Sequence, residues 1–406
     1  MSAARRLSVC YLVPGHDLLS TVGPSRNVVN LARALSEWAD VTVAFRRVAD
    51  EKPPEKIRVL EIQPSQGAAG QDDAATRGVG YAEFYSYVQT LRQFAERELK
   101  PFDVVLEKSW LLSGYVSAIC RKRGQLGVPI ENIVVNAKHA AGTSFMKFLR
   151  LKAGNWIAGR ALRGAPLIIA ETPFLKDEIV KYWGVRPGQV EVVDLGVDRN
   201  LFKPVDQSAA RQALQLPTDR TVLVYIGVLD LTHNIEPVIR ALGAEKLPQV
   251  ELHVVGDGYR RDEYAAIARE VGASVTFHGR VPHGQVPTYI GAADLCIAPY
   301  DPSAFASGEL GYSTMKIPEY LAVGRAVVSV PSGRIRTLIK DGENGFLFNN
   351  TESEWRHFLA GKLPTRDRLR EMSAAAARTP LASWQDTARG YLTLCEQQLA
   401  AAGHRG

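Results

Sequence analysis

Lys316 and Glu319 stand three residues apart in the segment STMKIPEYLAVGRAVVSV, residues 313–330, which closes on an apolar run suited to a buried strand. If a helix begins near Ser313 or Thr314, its free backbone N–H groups and positive dipole end can receive a phosphate, with Lys316 as a supporting cation. Glu319, one turn on, can accept hydrogen bonds from two vicinal hydroxyls, as a ribose presents them. That is nucleotide-binding chemistry. The plainer alternative is an ordinary helix start with an i,i+3 Lys/Glu surface pair, and pattern alone favours it.

The surroundings reverse that preference. Thr221 to Ile226 reads as a strand, Ile235 to Leu242 as a helix, Val250 to Val255 as a strand and Asp262 to Val271 as a helix. Shorter strands follow at Val275 to Phe277, Leu295 to Ala298 and Ala326 to Val330. The first half has the same grammar: apolar runs at Leu7 to Val13, Val41 to Phe45, Asp103 to Leu106, Ile133 to Val135 and Leu167 to Ala170, separated by helix-periodic stretches such as SRNVVNLARALSEW. Such alternation predicts parallel sheets wrapped by helices. Residues 64–80, rich in Gly, Ala and polar side chains, read as a surface loop. Residues 202–220, with two prolines and weak periodicity, read as an interdomain linker.

The chain has 406 residues, enough for two or three domains, with 46% hydrophobic and 23% charged residues. That composition excludes bulk disorder, and no apolar run reaches the ~20 residues of a membrane span. The amino terminus reads as a first strand rather than a signal peptide, which places the chain in the cytoplasm. Cys10, Cys120, Cys296 and Cys395 lie too far apart in sequence for a metal or disulfide framework, so no metal site is expected. The net charge of +6 is unevenly divided: residues 1–205 carry 28 Lys and Arg against 21 Asp and Glu, and residues 206–406 carry 21 against 22. The basic excess belongs to the first half.

The ordered motifs YIGVLDLTHNIEPVIRAL, VELHVVGDGYRRDEY, VTFHGRVPHGQVPTYIGAADLCIAPY, STMKIPEYLAVGRAVVSVPSG and IKDGENGFLF together resemble the donor-binding domain of the retaining glycosyltransferases of the GT4 family. ETPFLKDEIVKYWGVRPGQVEVVDLGVDRNLFKP, with Gly196, Val197, Asp198 and Phe202, resembles that family's passage from the acceptor domain into the linker. ASWQDTARGYLTLCEQQL resembles its returning helix. The resemblance implies the α/β GT-B fold: two Rossmann-like doubly wound domains facing a central cleft, residues 1–203 binding the acceptor and 204–381 the nucleotide sugar, with 382–406 a helix crossing back to the first domain. It further implies transfer of a sugar from a nucleotide-diphosphate donor, UDP- or GDP-linked, to an acceptor hydroxyl with retention of configuration and no required metal or other cofactor. Sugar, base and acceptor stay open, the acceptor among small molecules, glycans and lipid-linked compounds.

By position, the resemblance places Glu319 on the ribose and Ser313, Thr314, Met315 and Lys316 around the diphosphate or ribose. It places Gly279, Arg280 and Val281 beside the base, and Gly227, Gly256, Asp257 and Gly258 at strand ends near the donor. GDGYRR lacks the third glycine of a dinucleotide fingerprint, which argues against a nicotinamide. In the first half, Gly23, Pro24, Ser25 and Arg26 match a loop entering the active site, with Ser25 suited to a helix N-cap. His139 matches a histidine close to the transferred sugar; a lone histidine at a strand end is otherwise an ordinary loop residue. His139 and Lys316 are the expected catalytic residues.

Three positions depart from the family pattern. Its diphosphate-binding Arg and Lys fall at Val228 and His233, and the first carboxylate of its Glu-x7-Glu signature falls at Gly311. Each missing cation removes transition-state stabilisation worth ~3 to 4 kcal/mol. Lys316 is the expected substitute, with Arg280, Arg334 and His233 behind it. Glu309 could replace Gly311 only on a differently bent loop. These departures keep open a rival reading as a nucleotide- or partner-binding module without turnover; a sugar-nucleotide epimerase would need cleft acid/base groups that the sequence does not locate.

Residues 144–167 contain Lys147, Arg150, Lys152, Arg160 and Arg163, no acid, and Phe, Met, Leu, Trp and Ile between them. Such a helix can lie on an anionic membrane, which would put the protein at the inner membrane face, or show a solvated basic face with its apolar side in the core. No nucleic-acid-binding module accompanies the charge, so nucleic acid is not an expected partner.

Overall fold

The computed structural model describes residues 5–18, 23–48, 57–63, 81–133, 145–305 and 307–403. The chain divides into two compact units: residues 1–196, 311–313 and 382–406 form the first, and 197–310 and 314–381 the second.

The first unit holds β1 (Ser8–Val13), α1 (Gly23–Leu35), β2 (Asp40–Phe45), β3 (Arg58–Glu61), α2 (Tyr81–Arg97), β4 (Val104–Lys108), α3 (Tyr115–Arg121), β5 (Leu126–Glu131), α4 (Phe145–Arg163), β6 (Ile168–Ala170), α5 (Pro173–Trp183) and β7 (Val190–Val192). Its seven strands are parallel, in the order β3-β2-β1-β4-β5-β6-β7. Near-continuous burial along β1 and β4 fits a sheet covered on both faces. The strand expected at Ile133 to Val135 is instead β5, at Leu126–Glu131; Ile133 is exposed, and residues 134 and 135 lie outside the described part. Gly127 and Pro129 disguise β5 in the sequence, yet a Cβ on Gly127 would stand 2.6 Å from the Ser117 backbone, so glycine is what lets α3 pack against the strand.

The second unit holds α6 (Gln207–Leu214), β8 (Thr221–Ile226), α7 (Glu236–Glu245), β9 (Val250–Val255), α8 (Arg261–Val271), β10 (Val275–Gly279), α9 (Val286–Ala292), β11 (Leu295–Ala298), α10 (Lys316–Ala322), β12 (Val327–Ser329), α11 (Ile335–Leu338), β13 (Gly345–Leu347), α12 (Glu352–His357) and α13 (Arg366–Ala377). Six parallel strands run β10-β9-β8-β11-β12-β13. Apolar side chains of β8, β9, β11, α7 and α8 form one core with Trp355 and Phe358. The stretch read as a linker contains α6, capped by Asp206 and tied down by Arg211, whose guanidinium meets Asp294 at 2.6 Å. Arg211 and the buried Ala210, which packs beside Gly291, dock this short helix.

The last helix, α14 (Trp384–Gly403), returns to the first unit. Thr387 donates to the Asp194 carbonyl at 2.8 Å and Gln385 to Glu37 at 2.9 Å, while Arg389 lies over the Trp38 ring. A Cβ on Gly196 would stand 2.3 Å from the Trp384 nitrogen, which explains glycine there. Among the described residues, no helix is long and apolar enough to cross a membrane.

Candidate functional site

Open parallel sheets bind ligands beyond their strand carboxyl ends, where the strand order reverses. In the second unit the reversal lies between β8 and β11. Beyond it, the ends of β8 and β9 interlock through backbone alone: Gly227 donates to the Val255 carbonyl at 2.9 Å, Leu229 to Asp257 at 3.0 Å, and Gly256 to Gly279 at 2.7 Å. Gly256 has φ +132°, and a Cβ on it would fall 1.9 Å from the Gly227 oxygen. Gly258 is confined equally by Leu229. These glycines keep the loops short and the strand ends open.

Lys316 opens α10 and reaches the same place. Its ammonium donates to the Tyr225 hydroxyl at 3.3 Å and lies over the rings of Tyr225 and Tyr300, 4.4 and 5.2 Å from their centroids. Gly227, φ +148°, leaves it space, since a Cβ there would stand 2.6 Å from Nζ. Removal from water pulls the ammonium down to about 7, against the opposing pull of Asp230 and Glu319. His233 packs on Tyr300 and bonds Asp230 at 2.9 Å through Nδ1. Burial, then the Lys316 charge, lower its imidazole to about 4, so it is neutral at pH 7. Burial raises the Asp230 carboxyl, but hydrogen bonds and charge from His233, with Thr232, outweigh this and hold it well below the usual range. The arrangement is a desolvated cation, its pKa pulled down by burial and held up by two carboxylates, suited to accept an anion.

The structure thus brings Gly227, His233, Lys316 and Glu319 together, with Gly256 and Gly258 behind them. Arg280 and Asp257, at adjacent strand ends, form an exposed pair at 3.8 Å, and Val281 follows, partly buried. The helix expected from Ser313 or Thr314 begins at Lys316, with Met315 in cap position and no side-chain cap. Thr314 is buried, its hydroxyl bonded to that of Tyr300. Ser313 and Gly311 fall in the first unit, where the Gly311 carbonyl accepts from Thr172 at 2.8 Å. Glu309 does not stand in for the missing carboxylate: Arg336, Ser332 and the Gly333 N–H hold it, and lower its carboxyl to about 2 despite some burial. Val228, in place of a family cation, is 53% exposed.

In the first unit, α1 begins at Gly23, so Ser25 lies inside the first turn instead of capping it; its buried hydroxyl donates to the Asp17 carbonyl. Asp17 in turn receives a bidentate, buried Arg46 at 2.6 and 2.7 Å. His139 lies outside the described residues. The sequence reading missed a group at the carboxyl ends of β4, β5 and β6: buried Glu107, Lys108, Glu131 and Glu171. Glu107 accepts from Trp110 and from the Ser117 N–H. Burial raises the Glu131 carboxyl to about 8 and lowers Lys108, which lies 4.0 Å from Glu171. Charges within apolar strands (LEK, PIE) were the available signal.

A family model described as "Glycosyltransferase Family 4" matches residues 22–201, and one described as "Glycosyl transferases group 1" matches residues 220–363. The D-inositol 3-phosphate glycosyltransferase of Thermobispora bispora is 27% identical over 378 residues, covering 86% of this chain and 84% of that protein. That of Mycobacterium tuberculosis is 31% identical over 321 residues, 74% of this chain and 63% of the relative. Among solved structures, sucrose-phosphate synthase from Thermosynechococcus elongatus superposes with a TM-score of 0.76 at 20% identity, covering 98% of this chain and all of that one. Anabaena HepE in complex with UDP and glucose gives 0.71 at 17% identity, covering 96% and 100%. These structures share the fold.

Proposed function

From the premise that this chain belongs to the GT4 family of glycosyltransferases, we propose that it transfers a hexose from a UDP-linked donor to a hydroxyl of a phosphorylated polyol, with retention of configuration. The observation that carries the reading is the Lys316–Tyr225–Tyr300 arrangement between Asp230 and Glu319, at the switch point of the second sheet. The HepE complexes, holding UDP or UDP-glucose, support the donor class. The inositol 3-phosphate relatives and the basic excess of residues 1–205 support a phosphorylated acceptor.

Glu319 accepts the ribose diol, Lys316 neutralises the diphosphate, and Arg280 with Val281 flank the base. Ser313, Thr314 and Met315 line the approach to α10, and Gly227, Gly256, Asp257 and Gly258 keep strand ends clear for the donor. By the family pattern, Gly23 and Ser25 serve the donor phosphates and His139 the transferred sugar. His233, neutral at pH 7, acts as a hydrogen-bond partner rather than a cation. In the transfer, the bond from the anomeric carbon to the diphosphate oxygen breaks as the acceptor oxygen bonds the same face. The departing oxygen takes the acceptor proton, leaving glycoside and UDP. No side-chain base is required, and Lys316, whose charged form the approaching anion favours by raising its pKa so that it takes up a proton from solvent, stabilises the leaving charge.

The exposed face of α4 supports peripheral contact with an anionic membrane: Lys152, Arg160 and Trp156, 65% exposed, point outward while Ala158, Ala161 and Leu162 pack inward. Incubation with UDP-glucose, GDP-mannose and inositol phosphate tests the whole reading. UDP release dependent on the acceptor is expected; ligand-induced stabilisation with no donor consumption would instead favour a binding module.

A further inference from the structure

At the opposite, amino-terminal edge of the first sheet lies a cavity of about 490 Å³ that the transfer reaction does not use. Register explains its floor: Ser8 pairs with Asp40, and Thr42 pairs with Arg58, so these side chains share one face of β1, β2 and β3. The same face is covered farther along by α2, and the end of that helix supplies Arg97 and Glu98 to the wall. Arg6 also lines the cavity but is committed, donating to the Ser36 and Ala39 carbonyls and lying 3.7 Å from Asp40. Arg58 and Arg97 have no acidic partner among the described residues. Thr42 is 6% exposed, and its hydroxyl has no hydrogen-bond partner among them either.

The geometry points to a second ligand site here, for a small phosphorylated polyol. Two uncommitted guanidiniums suit a phosphate dianion, which they bind in bidentate fashion. A carboxylate, Glu98, and the hydroxyls of Ser8 and Thr42 suit the ligand's own hydroxyl groups, a mixture that an inorganic anion alone would leave unmatched. The volume lies within the usual range for small-molecule sites. Because the cavity faces the amino ends of strands whose carboxyl ends border the proposed acceptor region, its occupant is an effector rather than a substrate.

Calorimetry on the full chain tests this with ribose 5-phosphate as probe, ribose as the uncharged control and inorganic phosphate as the minimal anion. Saturable 1:1 binding of ribose 5-phosphate is expected, tighter than either control. An Arg58→Gln/Arg97→Gln variant weakens it at least about tenfold, from the loss of two charge-assisted contacts. Thr42→Val, of the same shape, weakens it several-fold. Both variants keep wild-type UDP affinity, which separates this site from the transfer site, and an unchanged circular-dichroism melt shows that the first unit still folds. Equal binding by wild type and the double variant, or inorganic phosphate bound as tightly as the sugar phosphate, overturns the proposal.

Discussion

In the proposed transfer Lys316 meets a diphosphate from a position that has cost its ammonium most of its water, and a pH dependence follows. In the free protein, burial pulls its ammonium down to about 7. An approaching diphosphate favours the charged form, so the pKa in the complex lies above that of the free protein. Donor binding is therefore strongest below pH 7 and weakens as pH rises, by about tenfold per unit until the pKa of the complex is reached. Between pH 7 and 9 the dissociation constant of UDP should rise by up to about 100-fold. Lys316→Met keeps the length of the side chain, flattens this profile and lowers kcat/KM by about 10² to 10³. The free protein behaves oppositely. A lysine whose pKa is depressed by folding contributes stability that is present above its unfolded pKa and lost as pH falls towards 7, so the variant should not melt below the wild type at pH 7. Calorimetric titration of UDP from pH 6 to 9, in wild type and variant, reads the effect directly. Equal slopes in the two proteins would refute the reasoning.

Gly256→Ala should destabilise the second unit by several kcal/mol, because its Cβ overlaps the Gly227 oxygen and the backbone is left-handed; chemical denaturation measures it. His253 and His278 share one hydrogen bond, Nδ1 to Nε2 at 2.9 Å, with Glu251 and Arg220 behind His253 and Tyr289 on His278. Burial lowers both imidazoles, so the stability they carry is present above pH 6.5 and lost as pH falls through their depressed values. His278→Gln should shift the acid limb of the melting-temperature profile to lower pH. Glu131, raised to about 8, contributes stability that is present below its unfolded pKa and lost as pH rises through 8. Glu131→Gln should therefore be near-neutral at pH 4 and increasingly stabilising from there up to pH 8 and above, by denaturant melts.

Where apolar periodicity decides structure, the sequence was readable. Val250 to Val255, Leu295 to Ala298 and the helix at Asp262 to Val271 match β9, β11 and nearly all of α8. It misled where polar or small residues build an element. β5 hides behind Gly127 and Pro129, α6 is held by Arg211 and Asp294, and β3 and β7 are too short for a pattern. The site divides the same way. Lys316 and Glu319 are conspicuous by spacing, and the strand-end glycines by their short loops. Tyr225 and Tyr300, which set the electrostatics of Lys316, look in sequence like ordinary apolar strand and loop residues. The start of α10 was misjudged because Thr314 spends its hydroxyl on Tyr300 instead of capping the helix.

The central claim is transfer with retention from a UDP-linked donor. Proton NMR of the purified protein mixed with UDP-glucose and inositol 3-phosphate follows donor, UDP and product in one tube. UDP should appear in step with a glycoside whose anomeric proton shows the small coupling of the α configuration, that of the donor. A product with the large coupling of the β configuration, or acceptor-independent persistence of UDP-glucose with every polyol phosphate supplied, would contradict it.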